Sequence, residues 1–323
     1  MMRVTAMALL LFLWSCTSNQ DSSISIEVPP HFPPFAIEQV DYDFAASVSL
    51  GKRLFFDPVL SRDSTVSCAS CHLPEKAFTG GSRLSIGVDG RSGFRNAPTL
   101  VNVVYSTSFF HDGGVPSLER QVLAPFDNHD EFDLPISEAI TKLKEHNSYN
   151  KAFIEVFGKE PSVFTLTRAI ADFERTLIYA STPWDAYALG DSTALNEQQL
   201  LGWQIFQSAS CTTCHVPPLF TNFSFQNNGF FEDYSEDPGR ARVTLLPEDV
   251  GLFKVPTLRN LALSGPYTHN GSIALLDSMI ESYNRGASGH INQSEIIRPL
   301  GFNEIEKRAL LEFLTNGLLD KNL

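Results

Sequence analysis

The chain has 323 residues, 43% of them hydrophobic and 19% charged, which suits two domains of ordinary size and excludes a disordered protein. Its formal net charge of −13 argues against nucleic acid or an anionic lipid surface as a partner.

At the start, Arg3 precedes the apolar run Ala8-Leu9-Leu10-Leu11-Phe12-Leu13-Trp14, far too short to cross a bilayer as a helix. Residues 1–15 read as an export signal, and Leu13-Trp14-Ser15-Cys16 resembles a lipobox. Cys16 would then be the lipidated first residue of an exported, periplasmic protein that touches the membrane through its anchor only. A plain signal peptide is the alternative. Ser, Asn, Gln and Pro dominate residues 17–34, so 16–40 is expected to form a flexible tether.

A first domain is expected over 41–185. Leu50-Gly51-Lys52-Arg53-Leu54-Phe55 leads into Cys68-Ala-Ser-Cys71-His72. Residues 163–180 place Phe164, Leu166, Ala169, Ile170, Phe173, Leu177 and Ile178 on one helical face. The pattern breaks near 183–195, at Pro183 and Gly190-Asp191-Ser192.

A second domain follows over 186–323. Leu201-Gly202-Trp203-Gln204-Ile205-Phe206 leads into Cys211-Thr-Thr-Cys214-His215. The loop 222–247, rich in Asn, Asp, Glu and Gly, is expected at the surface. A last helix over 303–318 starts on Asn303 with Glu306 three residues later and should bury Ile305, Leu310, Leu311, Phe313 and Leu314. No long alternating stretch argues for a sheet. The expected fold is therefore mainly α.

Of five cysteines, Cys16 belongs to the export segment and the other four form the two Cys-x-x-Cys-His motifs. This is the attachment pattern of c-type haem. Two thiols one helical turn apart can add to the vinyl groups on one porphyrin edge, and the next residue turns its imidazole under the iron. A four-cysteine zinc site is disfavoured by the long separation of Cys71 from Cys211. A Cys-x-x-Cys disulfide staples little, and a thioredoxin-like pair lacks its βαβ context.

The chain also repeats itself. Pro98-Thr99-Leu100 is followed thirteen residues later by His111-Asp112-Gly113, and Pro256-Thr257-Leu258 thirteen residues later by His269-Asn270-Gly271. Both pairs of motifs are offset by 158 positions. Two cytochrome c-like haem domains related by internal duplication account for this. Met279 and Tyr283, four apart on one helical face, could each reach the second iron. Their counterparts in the first half are Gln121 and Pro125, which bind iron poorly or not at all. An open first iron and a closed second one separate a reacting haem from an electron-relaying haem.

Leu50-Gly-Lys-Arg-Leu-Phe-Phe-Asp-Pro58, Arg95-Asn-Ala-Pro-Thr-Leu100, Lys254-Val-Pro-Thr-Leu-Arg-Asn260 and Pro266-Tyr-Thr-His-Asn-Gly-Ser272 resemble the bacterial di-haem cytochrome c peroxidase and MauG family across nearly the whole chain. The resemblance implies His72 as proximal ligand of a peroxide-reacting haem, with Gln121, Pro125 and Glu131 in its distal pocket. Glu131 would carry a proton from the near to the far peroxide oxygen. An exposed acid within Asp127-Asn-His-Asp-Glu131 is the plainer reading. His215 would hold the second haem, with Tyr283, or alternatively Met279, on its other side. Asn96 and the carbonyls of Lys254 and Pro256 match a calcium site between the haems.

Three departures from the family pattern stand out. Val88 occupies the place of a gating histidine, so the protein should be ready in its oxidised state. Tyr283 stands where the gated peroxidases have methionine, as in MauG-like members. His111 replaces the tryptophan between the haems. His111 and His129 are alternative ligands of the first iron. Trp184 and Trp203 read as core, and Arg259 as the partner of a haem propionate or a surface acid. The leading expectation is a peroxidase that reduces hydrogen peroxide with electrons from a small redox protein such as cytochrome c. A MauG-like oxidase of a protein or aromatic substrate, and a pure electron-transfer protein, are the rivals. Homodimers are common in the family.

Overall fold

The computed structural model describes residues 26–35, 40–286 and 288–323, so the export segment 1–15 and Cys16 lie outside the described residues. In chain order the α-helices are α1 (Phe44–Phe56), α2 (Cys68–Cys71), α3 (Leu118–Asp127), α4 (Ile136–Glu145), α5 (Asn147–Phe157), α6 (Val163–Arg175), α7 (Pro183–Ala188), α8 (Glu197–Ser208), α9 (Ala241–Thr244), α10 (Leu276–Arg285) and α11 (Glu304–Glu312). Two two-residue strands, β1 (Phe225–Gln226) and β2 (Phe253–Lys254), pair antiparallel with Phe225 opposite Lys254. The protein is mainly helical, as its sequence predicts.

Among the described residues, apolar side chains gather in two large cores and a small third cluster of Phe109, Leu118 and Ala171. In the first, Leu50, Leu54 and Phe55 of α1 meet Leu166, Ala169, Ile170 and Phe173 of α6. In the second, Trp203 and Phe206 of α8 meet Leu310 of α11 and Phe313 and Leu314 of the π-turn Phe313–Gly317 that follows it. Each buried Leu, Ile or Phe among them contributes roughly 1.5–3 kcal/mol relative to exposure. The same device sets both helix crossings. A Cβ on Gly51 would fall 1.8 Å from the Ala169 carbonyl oxygen, and one on Gly202 would fall 2.0 Å from that of Ala309. Only glycine permits so close an approach.

Several expectations need correction. The helix expected over 163–180 ends at Arg175, because Leu177 and Tyr179 leave it to bond with Asn102. The α-helix expected over 303–318 ends at Glu312 and continues as the π-turn, although the Asn303–Glu306 capping box is present. Phe164 is 67% exposed and Ile305 72% exposed. Both lie in a first helical turn, where the packed face has not yet met its partner helix. The loop 222–247 is no loose surface loop: it holds β1 and buries Asn227, Tyr234 and Asp237. Nor are residues 29–35 a free tether. Phe32 is buried beneath the Arg259 guanidinium, 4.7 Å from its ring centroid, and His31 Nε2 lies 2.7 Å from Asp185. The aromatic and proline content of His31-Phe32-Pro33-Pro34-Phe35 outweighs its polar surroundings. Among the described residues no helix is long and apolar enough to cross a membrane.

Candidate haem site

Each Cys-x-x-Cys-His motif folds as one tight turn. Cys68–Cys71 is helical, with Ser70 Oγ accepting the Ser67 amide at 3.0 Å, and His72 caps its end. Cys211–Thr213 is a 3₁₀ turn ending on Cys214. All four cysteines are free thiols, and among the described residues no group of three or more His, Cys, Asp or Glu could hold a metal ion. Burial pushes the Cys68 thiol up and that of Cys211 up to about 11, so both are held as neutral thiols.

The two histidines are presented alike. His72 Nδ1 lies 2.9 Å from the Phe78 carbonyl, and His215 Nδ1 lies 3.1 Å from that of Phe220 and 3.2 Å from that of Pro256. A carbonyl only accepts, so Nδ1 carries the proton and Nε2 keeps its lone pair. Burial lowers both imidazoles, His215 to about 4, so each is neutral. Phe78 and Phe220 both adopt positive φ, 55° and 52°, at these accepting carbonyls. Thr99 and Thr257 of the repeated Pro-Thr-Leu motif donate to the Ala77 and Leu219 carbonyls at 2.6 and 2.7 Å. Further on, the Asn102 amide donates to Leu177 at 2.8 Å and that of Asn260 to Leu318 at 2.9 Å. Their side-chain oxygens accept from Tyr179 N at 2.9 Å and Asp320 N at 2.7 Å.

Between the halves the backbone bonds are reciprocal. Asn96 N donates to the His269 carbonyl at 2.8 Å, and Lys254 N donates to the His111 carbonyl at 2.7 Å. These four residues are related by the 158-residue offset of the sequence repeat. Arg95 ties the seam, bonding Asp112 at 2.6 Å and Asp237 at 2.7 and 2.8 Å. His269 stacks on Phe253, with ring centroids 3.9 Å apart. His111 donates Nε2–H to the Asn96 carbonyl at 2.8 Å, and burial draws it down to about 4. His129 is exposed and lies 3.2 Å from Asp133.

One continuous cavity of about 750 Å³ reaches both motifs. It is lined by Gln121 and Pro125 of α3, by Glu131, and by Met279 and Tyr283 of α10. Glu131 is near enough to Cys68 and Cys71 to raise their thiols, and Tyr283 stands near Cys211 and Cys214. Glu131 faces the cavity while Asp127 is exposed. Asn128 Nδ2 donates to Glu131 Oε1 at 2.7 Å, and Val88 N donates to the Glu131 carbonyl at 3.0 Å. Burial raises the Glu131 carboxyl, with Asn128 opposing. Val88 itself is fully buried. Burial pushes the Tyr283 phenol up to about 12, beside Phe230 at 4.7 Å between ring centroids.

Two sequence readings resolve differently. Trp184 and Trp203 pack in the second core. Arg259 pairs neither with a surface acid nor toward the cavity: it is buried, bonds Asp185 through Nη1 and Nη2 at 2.9 and 2.5 Å, and donates Nε–H to the Pro218 carbonyl at 2.7 Å. Sequence reading missed Asn128, although Asn favours turns by accepting from the amide two residues on, here Asp130 N at 3.0 Å. It also missed Glu174, a buried cavity-lining carboxyl whose Oε2 has no partner.

Residues 45–193 match the di-haem cytochrome c peroxidase family. The chain is 34% identical over 274 residues to the methylamine utilization protein MauG of Methylorubrum extorquens, covering 83% of this chain and 76% of that protein. It is 35% identical over 271 residues to the cytochrome c551 peroxidase of Nitrosomonas europaea, covering 82% and 81%. Among solved structures, a MauG-like protein associated with microbial copper homeostasis superposes with a TM-score of 0.83 at 28% identity, over 92% of this chain and 96% of that one. The chain belongs to the di-haem cytochrome c peroxidase family.

Proposed function

We propose that this protein is a di-haem c-type peroxidase that reduces hydrogen peroxide to water with electrons from a small redox donor such as a cytochrome c. The residues fit two haems. Each motif offers two free thiols one turn apart and a neutral imidazole with Nε2 unengaged, around a shared cavity. Bound haem would supply the redox centres at which two electrons enter and peroxide is reduced.

The observation that carries the reading is the asymmetry of the cavity walls. Among the lining residues, the Glu131 carboxyl is near enough to Cys68 and Cys71 to raise their thiols, and the Tyr283 phenol stands near Cys211 and Cys214. Gln121 and Pro125 of the first half answer Met279 and Tyr283 of the second. Glu131 takes the proton from the near peroxide oxygen and returns it to the far one, which leaves as water. Two protons and two electrons per peroxide give two waters. Raised by burial and held by Asn128, Glu131 is suited to both halves of that transfer. Gln121 hydrogen-bonds the bound peroxide. Tyr283, with Met279 as the alternative, would help hold the second haem's iron; a buried phenol becomes an anion when a cation binds it. Glu131→Gln tests this: peroxide turnover should fall by about 10²-fold or more, and unchanged turnover would remove Glu131 from the mechanism.

Tyr283 and the buried Val88 favour a second reading, a MauG-like enzyme that withdraws electrons from a protein or aromatic substrate. His111 in place of the inter-haem tryptophan weighs against it.

Residues 41–185 and 186–323 are read as duplicated haem domains, supported by the paired hydrogen bonds around His72 and His215 and the reciprocal seam. Calcium would be held by Asn96 Oδ1 and the carbonyls of Lys254 and Pro256, with water completing a neutral oxygen shell. The Asn96 amide nitrogen is anchored on the Ser82 and Arg83 carbonyls, at 2.9 and 3.3 Å, and the Pro256 carbonyl retains a lone pair beside His215. Export to the periplasm with a lipid on Cys16 completes the reading.

A further inference from the structure

The turn that carries Glu131 belongs to no helix or sheet. It is built on Asn128, whose carbonyl accepts from the amides of Glu131 and Asp133, each at 3.1 Å, and whose Oδ1 accepts from Asp130 N at 3.0 Å. Its outer side is fastened to residues 87–91. Val88 N donates to the Glu131 carbonyl at 3.0 Å, and Arg62 N donates to that of Phe132 at 2.9 Å. Arg91 donates Nε–H to the His129 carbonyl at 2.7 Å and Nη2–H to Asp133 at 2.6 Å. Arg62 reaches the same Asp133 oxygen at 2.6 Å. Asp89 closes the ring, accepting from Arg91 at 2.7 Å and from Arg62. Gly87 lets the two loops touch, because a Cβ there would fall 2.1 Å from the Asp130 carbonyl oxygen.

Exposed ion pairs of this kind contribute little to stability. Arg62 and Asp89 are 43% and 51% exposed, but Arg91 and Asp133 are only 22% exposed. Planar guanidinium forks fix direction as well as distance. The ring therefore serves geometry more than stability. It grips the backbone on both sides of Glu131 without touching its carboxylate.

We infer that Arg91 is a positioning residue for Glu131, held in turn by Asp89, Asp133 and Arg62, so that the carboxyl stands ready in the resting enzyme. This rests on Glu131 being the acid–base group. Asp130, 4.0 Å from Arg91, and His129, beside Asp133, also face the ring.

The test uses haem-loaded protein without prior reduction. Stopped-flow mixing gives the second-order rate constant with hydrogen peroxide across pH 4.5 to 8, for wild type, R91M, R91K, E131Q and E131Q/R91M. R91M should lose about tenfold in rate, since small misplacements of a reacting group are costly, and its acid limb should move. Its melting midpoint should fall by no more than about 3 °C. R91K should recover part of the rate, having the charge without the fork. In the E131Q background R91M should matter less than about twofold, because the two act through one group. If R91M does not fold, Asp133→Asn breaks the same ring and should lose about threefold. A folded R91M with wild-type rate and pH profile would overturn the inference. So would an undiminished loss in the E131Q background. E131Q at the wild-type rate would instead sink the acid–base reading itself, while an impaired E131Q beside an intact R91M would sink the positioning role alone.

Discussion

Around His72 and around His215 the chain builds one frame twice. Each imidazole is fixed through Nδ1 to a carbonyl at a positive-φ phenylalanine, and each Pro-Thr-Leu threonine secures the carbonyl just before it. The walls opposite diverge. Pro125 and Gln121 stand where the second half has Tyr283 and Met279, and among the described residues the acids lining the cavity, Glu131 and Glu174 included, all come from the first half. A shared frame presents the two imidazoles alike; under the proposed function, a few side chains on the cavity wall would decide whether a bound haem reacts or relays.

The largest way to break that comparison is Glu131→Gln. Peroxide turnover should fall by about 10²–10⁴-fold, and the acid limb of the rate profile should vanish with it. In wild type that limb should lie above the ordinary glutamate value of about 4.3, because burial raises the carboxyl and activity needs its charged form. Steady-state rates across pH read both.

Next comes Arg259, whose counterpart in the first half is the buried Val101. Burial alone would raise Asp185, yet Arg259 and Thr182 overcome it and the carboxyl lies below its usual range. This stability is present above about pH 4 and is lost as pH falls through the depressed value. Arg259→Met leaves a buried charge without its main partner and should destabilise by about 3–5 kcal/mol. The raised Asp185 would then make the variant more stable as pH falls, the opposite of wild type. Urea melts at several pH values check the sign.

Gly51→Ala and Gly202→Ala probe the frame itself. Each added methyl strikes a facing helix carbonyl, and each should cost about 2–3 kcal/mol. Equal penalties by calorimetry would fit one frame used twice; a loss at one glycine alone would mean the helix crossings differ. Tyr283→Phe should have the smallest effect on rate, less than about twofold in the peroxide step, while shifting the spectrum of the second haem. An unchanged spectrum would transfer the ligand role to Met279.

What the sequence made legible was local or repeated. The Cys-x-x-Cys-His motifs, the Asn303 capping box and the 158-residue offset are patterns of spacing. What it hid was long-range. Nothing near Arg259 in the chain announces Asp185, 74 positions away, and nothing in a polar leader announces Phe32 beneath that guanidinium. Phe164 and Ile305 fit their helical faces yet stay exposed, since periodicity gives a direction and not a partner. At the site, Gln121, Pro125, Glu131, Met279 and Tyr283 were all named from sequence and all line one cavity. The ring of Arg62, Asp89, Arg91 and Asp133 was not, because four surface-type charges carry no signal until folding brings them together.

The most direct measurement records optical and EPR spectra of the as-isolated ferric protein, then adds one equivalent of hydrogen peroxide without prior reduction. One high-spin and one low-spin iron are expected, with an immediate optical change on adding peroxide. Two low-spin irons that ignore peroxide until the protein is half-reduced would contradict this expectation.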